Sequence, residues 1–213
     1  MSSQAPSLIH PPYWEEAVSH LSRVDPVMGE IIALYQGETL TCKADPYFTL
    51  ARAIVGQQIS VSAADSVWRR LTEEVTIVSP ETVLAAQEER LRACGLSLQK
   101  VSYLRNIAAH FHSRGVGLGY FEGKALEEIN KELLAIKGVG PWTVQMFQIF
   151  YLMSPDIMPL GDLGLLNAIA ARYGLPKESI KETARNVAEQ WKPWRTVATW
   201  YLWRSLDPVP VKY

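Results

Sequence analysis

Residues 133–164 read LLAIKGVGPWTVQMFQIFYLMSPDIMPLGDLG, and the fold turns on how this stretch is parsed. Just before and into it, the apolar residues Leu126, Ile129, Leu133 and Leu134 recur at helical spacing across 126–134. Lys137-Gly138-Val139-Gly140 then interrupts the pattern, and Pro141 opens a second apolar helix that runs to about Tyr151. Proline suits the first helical position because its missing N–H would have no intrahelical partner there. Two glycines around one apolar residue let the backbone turn sharply between the helices and bare its N–H groups. Backed by the positive end of the following helix, those groups form an anion site suited to a phosphate. Taken alone, a G-x-G between helices is equally an ordinary αα-hairpin bend.

The rest of the stretch narrows the reading. Twenty residues after Trp142, Asp162 stands in Pro159-Leu160-Gly161-Asp162-Leu163-Gly164, where it also reads as the N-cap of a helix over 163–173. Upstream, Val55-Gly56-Gln57-Gln58-Ile59-Ser60-Val61 breaks one helix and caps the next; downstream lies Trp191-Lys192-Pro193-Trp194-Arg195. In this order and at these distances the motifs resemble the helix-hairpin-helix superfamily of base-excision DNA glycosylases. The likeness runs over about residues 47–206 and is nearest to the 3-methyladenine DNA glycosylase II branch.

The resemblance implies an all-α fold of two helical lobes with a DNA-binding cleft between them. A central bundle would span residues 45–153 and end in the hairpin; residues 1–44 and 154–213 would form a composite second lobe, with no room for the β-domain of larger members. It implies hydrolysis of the N-glycosidic bond of alkylated bases such as 3-methyladenine and 7-methylguanine in duplex DNA, leaving an abasic site. Asp162 would stabilise the positive charge that develops on the sugar and orient or deprotonate a water. Trp142 occupies the position that carries a Schiff-base lysine in the bifunctional endonuclease III branch, and an indole cannot attack the sugar, which implies a water nucleophile and no lyase activity.

Trp142 and Trp203 would wall a base pocket whose rings attract a cationic base, with Met146 where the branch has a tyrosine. Lys137, Gly138, Val139, Gly140 and Thr143 would face phosphate. Gln57, Gln58 and Ile59 would meet the DNA where the damaged nucleotide is flipped out, with Gln58 or Ile59 filling the gap. A structural monovalent cation, Na+ or K+, would sit on hairpin carbonyls near Ile136 and Gly138, and no catalytic metal is expected. Two alternatives stay open: a glycosylase for uracil, deaminated or mismatched bases, and a non-catalytic helix-hairpin-helix DNA-binding module.

At 213 residues, 48% apolar and 20% charged, the chain has the composition of a soluble globular protein. No run of eighteen apolar residues and no charged-then-apolar leader is present, so a cytoplasmic monomer is expected, nucleoid-associated in a bacterium and away from membranes. Residues 1–12 read as a polar tail. Cys42 and Cys94 read as buried thiols, and two cysteines cannot supply the iron–sulfur loop of endonuclease III relatives. His110 and His112 read as surface side chains. A net charge of −1 counts mildly against a nucleic-acid binder, although residues 91–114 hold Arg92, Lys100, Arg105 and Arg114 with no acid. About ten helices are predicted. Asp25-Pro26, Asp45-Pro46, Ser60, Ser79-Pro80 and Ser97 mark starts, 176–191 reads as one amphipathic helix, and no strand pair or repeat is visible.

Overall fold

Short polar side chains set the helix starts. Asp25 Oδ1 accepts from Met28 N, Asp45 Oδ1 from Phe48 N, Ser60 Oγ from Ala63 N, Ser79 Oγ from Thr82 N, Ser97 Oγ from Lys100 N and Asp162 Oδ1 from Leu165 N. Each satisfies an amide that the first helical turn leaves without a partner, worth about 1 kcal/mol per cap. Proline follows the cap at Pro26, Pro46 and Pro80.

The computed structural model describes residues 9–207, of which the helices are α1 (Trp14–Val24), α2 (Pro26–Leu34), α3 (Pro46–Gly56), α4 (Val61–Val75), α5 (Pro80–Ala85), α6 (Glu88–Ala93), α7 (Leu98–Arg114), α8 (Leu126–Leu134), α9 (Pro141–Phe150), α10 (Leu163–Tyr173), α11 (Ile180–Val187) and α12 (Arg195–Arg204). Among the described residues the fold is all-α, and one β-like pairing, made by backbone hydrogen bonds, joins Ile9 to Cys42. That pairing ties down part of the stretch read as a tail at 1–12; residues 1–8 of it lie outside the described residues.

One helix is short, and another departs from its expected extent. The helix begun at Ser79 ends at Ala86, whose extended backbone presents its carbonyl to Arg105 Nη2 at 2.7 Å, and α6 starts afresh after it. The single helix expected over 176–191 is instead a 3₁₀ turn at Lys177–Ser179, α11, and a second 3₁₀ turn at Ala188–Trp191. The tighter winding there ends on Trp191, which is fully buried with its Nε1 on Asp25 Oδ2 at 2.7 Å, so a tertiary contact overrides the local periodicity.

The described residues form two compact units, 43–147 in one and 9–42 with 148–207 in the other, the later change of unit falling inside α9. In the first, α7 packs on α3 and α5, burying Leu50, Ile54, Val101, Leu104, Ile107 and Phe111. In the second, α12 packs against α1, α2 and α10 and is buried on nearly every side from Thr196 to Leu202, as a central core helix should be. Asp25, 2% exposed, ties this unit together: besides capping α2 it accepts at Oδ2 from the Tyr173 hydroxyl (2.7 Å), Gln190 Nε2 (3.1 Å) and Trp191 Nε1.

Candidate functional site

The hairpin between α8 and α9 is held from three sides by its own unit. Gly138 has φ +105°, and a Cβ built there would lie 2.2 Å from Cγ of Tyr103, so only glycine fits both the backbone and the ring. Asn106 Nδ2 donates to Lys137 O at 3.0 Å. Gln57 Nε2 donates to Gly138 O at 3.3 Å and to Thr143 Oγ1 at 2.9 Å. Thr143 is 1% exposed. Two residues expected to contact DNA are therefore corrected: the side chains of Gln57 and Thr143 are spent inside the protein, bracing the hairpin. Val139 is likewise buried, its N–H on Ile136 O at 3.0 Å. Lys137 is exposed, and nothing lies within 4 Å of the position a Cβ would take at Gly140.

The two glycines thus separate cleanly in an experiment. Gly140→Leu has room in the fold but puts bulk beside the turn's amides. Affinity for duplex DNA should fall about tenfold, to the same extent for unrelated sequences, because phosphates carry no base identity. Fluorescence anisotropy with two unrelated duplexes measures it, and parent-like binding would reduce the turn to a bend. Gly138→Ala should instead lower stability, through the ring clash and the positive φ.

At the C-terminal end of α3, Gln58 takes φ +58°, unusual for a residue with a side chain, and both it and Ile59 are exposed. A residue held in this region costs of order 1–3 kcal/mol and persists only where its surroundings impose it. Here Gln57, anchored on the hairpin, and the Ser60 cap fix the chain on either side.

The carboxylate lies in the other unit. Asp162 Oδ1 accepts from Leu165 N at 2.7 Å and from Trp203 Nε1 at 3.0 Å. The Trp203 ring stacks on Phe150, with centroids 5.9 Å apart and planes 11° from parallel. Asp162 and Trp203 are half-buried. The structure therefore brings together two residues that the sequence singled out separately. Trp142 is half-buried on the first turn of α9, whereas Met146, expected as a pocket wall, is 2% exposed and belongs to the core. Gly164, which sequence reasoning passed over, is also part of this arrangement: a Cβ there would lie 3.1 Å from Asp162 Oδ1. Its only signal was its place two residues after the aspartate.

Several charges elsewhere are engaged by the fold. Lys100 Nζ donates to Val55 O at 2.7 Å, and burial lowers its pKa; Arg105 holds Ala86 O. These two side chains of the basic stretch serve the fold. His110, read as a surface residue, sets Nε2 3.1 Å from Glu132 Oε1, beside the Tyr120 hydroxyl and Lys124 Nζ. Burial works to raise the Glu132 carboxyl, but these hydrogen bonds outweigh it and hold it below its ordinary range. The cluster joins α7 to α8 ahead of the hairpin. Among the described residues no three His, Cys, Asp or Glu side chains group to hold a metal, and no helix is long and apolar enough to cross a membrane. The carbonyls of Ile136 and Gly138 each accept one internal hydrogen bond and keep a second lone pair, a donor chemistry that suits a hard cation.

Residues 51–193 match the HhH-GPD superfamily of base excision DNA repair proteins. DNA-3-methyladenine glycosylase 1 of Schizosaccharomyces pombe is 34% identical over 198 residues, covering 89% of this chain and 86% of that protein. A solved structure of 3-methyladenine DNA glycosylase (Mag1) from the same yeast, in complex with abasic DNA, superposes with a TM-score of 0.81 at 32% identity, covering 89% of this chain and 96% of that one. A DNA-3-methyladenine glycosidase from Bacillus halodurans gives 0.69 at 28% identity, covering 93% and 92%.

Proposed function

The chain belongs to the HhH-GPD superfamily of base excision DNA repair proteins, and from that membership we propose how its residues act. It is an alkylbase DNA glycosylase of base excision repair, a hydrolase of N-glycosyl bonds whose partner is DNA. The substrates we assign are 3-methyladenine and 7-methylguanine in duplex DNA, acted on by a monomer in the cytoplasm. The observation that carries this assignment is the pairing of a carboxylate with an aromatic ring through one hydrogen bond, Trp203 Nε1 to Asp162 Oδ1. A cationic purine needs an electron-rich face, and the sugar from which it departs needs a negative charge beside it; the pair offers both.

In this mechanism the Gly138–Gly140 turn, with Lys137, holds a phosphate, while Gln58 and Ile59 enter the gap left by the flipped nucleotide. The Ile136 and Gly138 carbonyls would hold a monovalent cation that adds positive charge beside the phosphate-facing amides. Trp142 and Trp203 flank the base. The Asp162 carboxylate stabilises the oxocarbenium-like sugar and takes a proton from, or orients, the attacking water. Alkylation already makes the base a good leaving group, so no general acid is called for.

A base-release assay on duplexes carrying 3-methyladenine, 7-methylguanine, hypoxanthine and uracil tests the assignment. The two alkylated bases should be released fastest, leaving intact abasic strands. With an indole at position 142 in place of an amine, borohydride should trap no protein–DNA adduct. Uracil as the best substrate, or a robust adduct, would overturn it.

A further inference from the structure

We infer that Trp203 is the positioning residue of the Asp162 carboxylate, with Gly164 providing the space that the arrangement requires; the inference rests on the reading of Asp162 as the catalytic group. Capping α10 needs only one oxygen and one amide, and Leu165 N supplies that bond. A second donor, Trp203 Nε1, comes from α12, 41 residues further on, meets the same oxygen and restrains how the carboxylate turns.

The indole is itself held. Its ring lies nearly parallel to Phe150 at the end of α9, and α12 is buried along the turns before it. Movement of the donor is therefore tied to movement of the core. Gly164 completes the device. A methyl group at this position would stand 3.1 Å from Asp162 Oδ1 and 3.9 Å from the Cδ1 and Nε1 atoms of Trp203, tighter than ordinary contact with the carboxylate. The residue that would intrude on the hydrogen bond is thus the one without a side chain. An indole that only walled the pocket would need neither the bond nor the gap at residue 164.

The roles separate because a wall acts on the base and a positioning residue acts through Asp162. Trp203→Phe keeps an aromatic ring to stack on Phe150 and removes only the N–H donor. Hydrogen bonds to charged groups are among the stronger ones, so single-turnover excision at saturating enzyme should slow about tenfold on both cationic 7-methylguanine and neutral hypoxanthine. Binding to an uncleavable abasic-analogue duplex should stay within about twofold. In an Asp162→Asn background the same substitution should cost nothing further, since a residue acting through another loses its effect with it. Gly164→Ala, which leaves the indole intact, should slow excision with binding unchanged.

The bond has a readout independent of catalysis. The Trp203 indole N–H resonance, assigned by its absence in Trp203→Phe, should move upfield in Asp162→Ala. An unmoved resonance, parent-like excision by Trp203→Phe, an equal loss in both backgrounds, or a loss confined to 7-methylguanine would each overturn the positioning role. A parent inactive on every base would overturn the glycosylase reading and this role together, whereas an active parent with a parent-like Trp203→Phe overturns the role alone.

Discussion

Asp162→Asn should excise alkylated bases about 10²–10³-fold more slowly than the parent, the usual cost of losing a preorganised electrostatic group, while folding and binding DNA as well as before. Both hydrogen bonds described for this side chain, from Leu165 N and Trp203 Nε1, use Oδ1. Asparagine can present its carbonyl oxygen in that place, and it ranks with aspartate as an N-cap. The cap on α10 should therefore survive the change, and loss of a negative charge favours binding of a polyanion. What an amide cannot do is take a proton from water or stabilise a developing cation as a carboxylate does. The labile 7-methylguanine bond should show the smaller loss and hypoxanthine the larger. Single-turnover excision, with binding to an abasic analogue measured alongside, checks this. Parent-like excision would leave Asp162 as a cap and nothing more.

The same substitution at Asp25 should do the opposite. Here Oδ1 caps α2 and Oδ2 accepts three donors, from Tyr173, Gln190 and Trp191, in a site 2% exposed. Asparagine would have to turn its NH₂ toward one set of donors, and burial together with the carboxylate keeps the Tyr173 hydroxyl protonated, so that donor does not yield. Losing one side of a buried charged network costs about 3–5 kcal/mol. For a chain of this size that lowers the melting temperature by roughly 10 °C. Urea and thermal unfolding of Asp25→Asn and Asp25→Ala test it. An unchanged urea midpoint would mean that the four bonds are individually idle. Because Tyr173 ends the helix that Asp162 begins, excision by the folded fraction of these variants is also expected to fall.

What the sequence revealed, and what it hid, divides by distance along the chain. The caps at Asp25, Asp45, Ser60, Ser79, Ser97 and Asp162 were all legible, since a cap and its amide lie three residues apart and the chemistry is local. The hairpin glycines were legible as a turn, but the reason Gly138 cannot be replaced is a tyrosine ring 35 residues earlier. Gln57 and Thr143 were misread as DNA contacts because polar side chains beside a motif look outward-facing until their partner, 86 residues away, is known. Met146 failed in the mirror sense: a pocket wall and a core residue share the same apolar side chain. The broken helix over 176–191 kept its amphipathic pattern, and nothing local announced that Asp25 would draw Trp191 inward.

The engagement of Lys100 and Arg105 with backbone carbonyls bears on how the protein is held to undamaged DNA. Each cation that neutralises a phosphate releases condensed counterions, and the number released sets how steeply affinity falls as salt rises. A chain of net charge −1 that commits two cations of its basic stretch to its own fold has two fewer there to exchange. At the proposed phosphate site Lys137 shares the contact with backbone amides, which are dipoles and displace no ion on their own account. The salt slope expected for such a protein is shallower than if Lys100 and Arg105 both met phosphate, and a shallower slope leaves more of the affinity in place at cellular ionic strength.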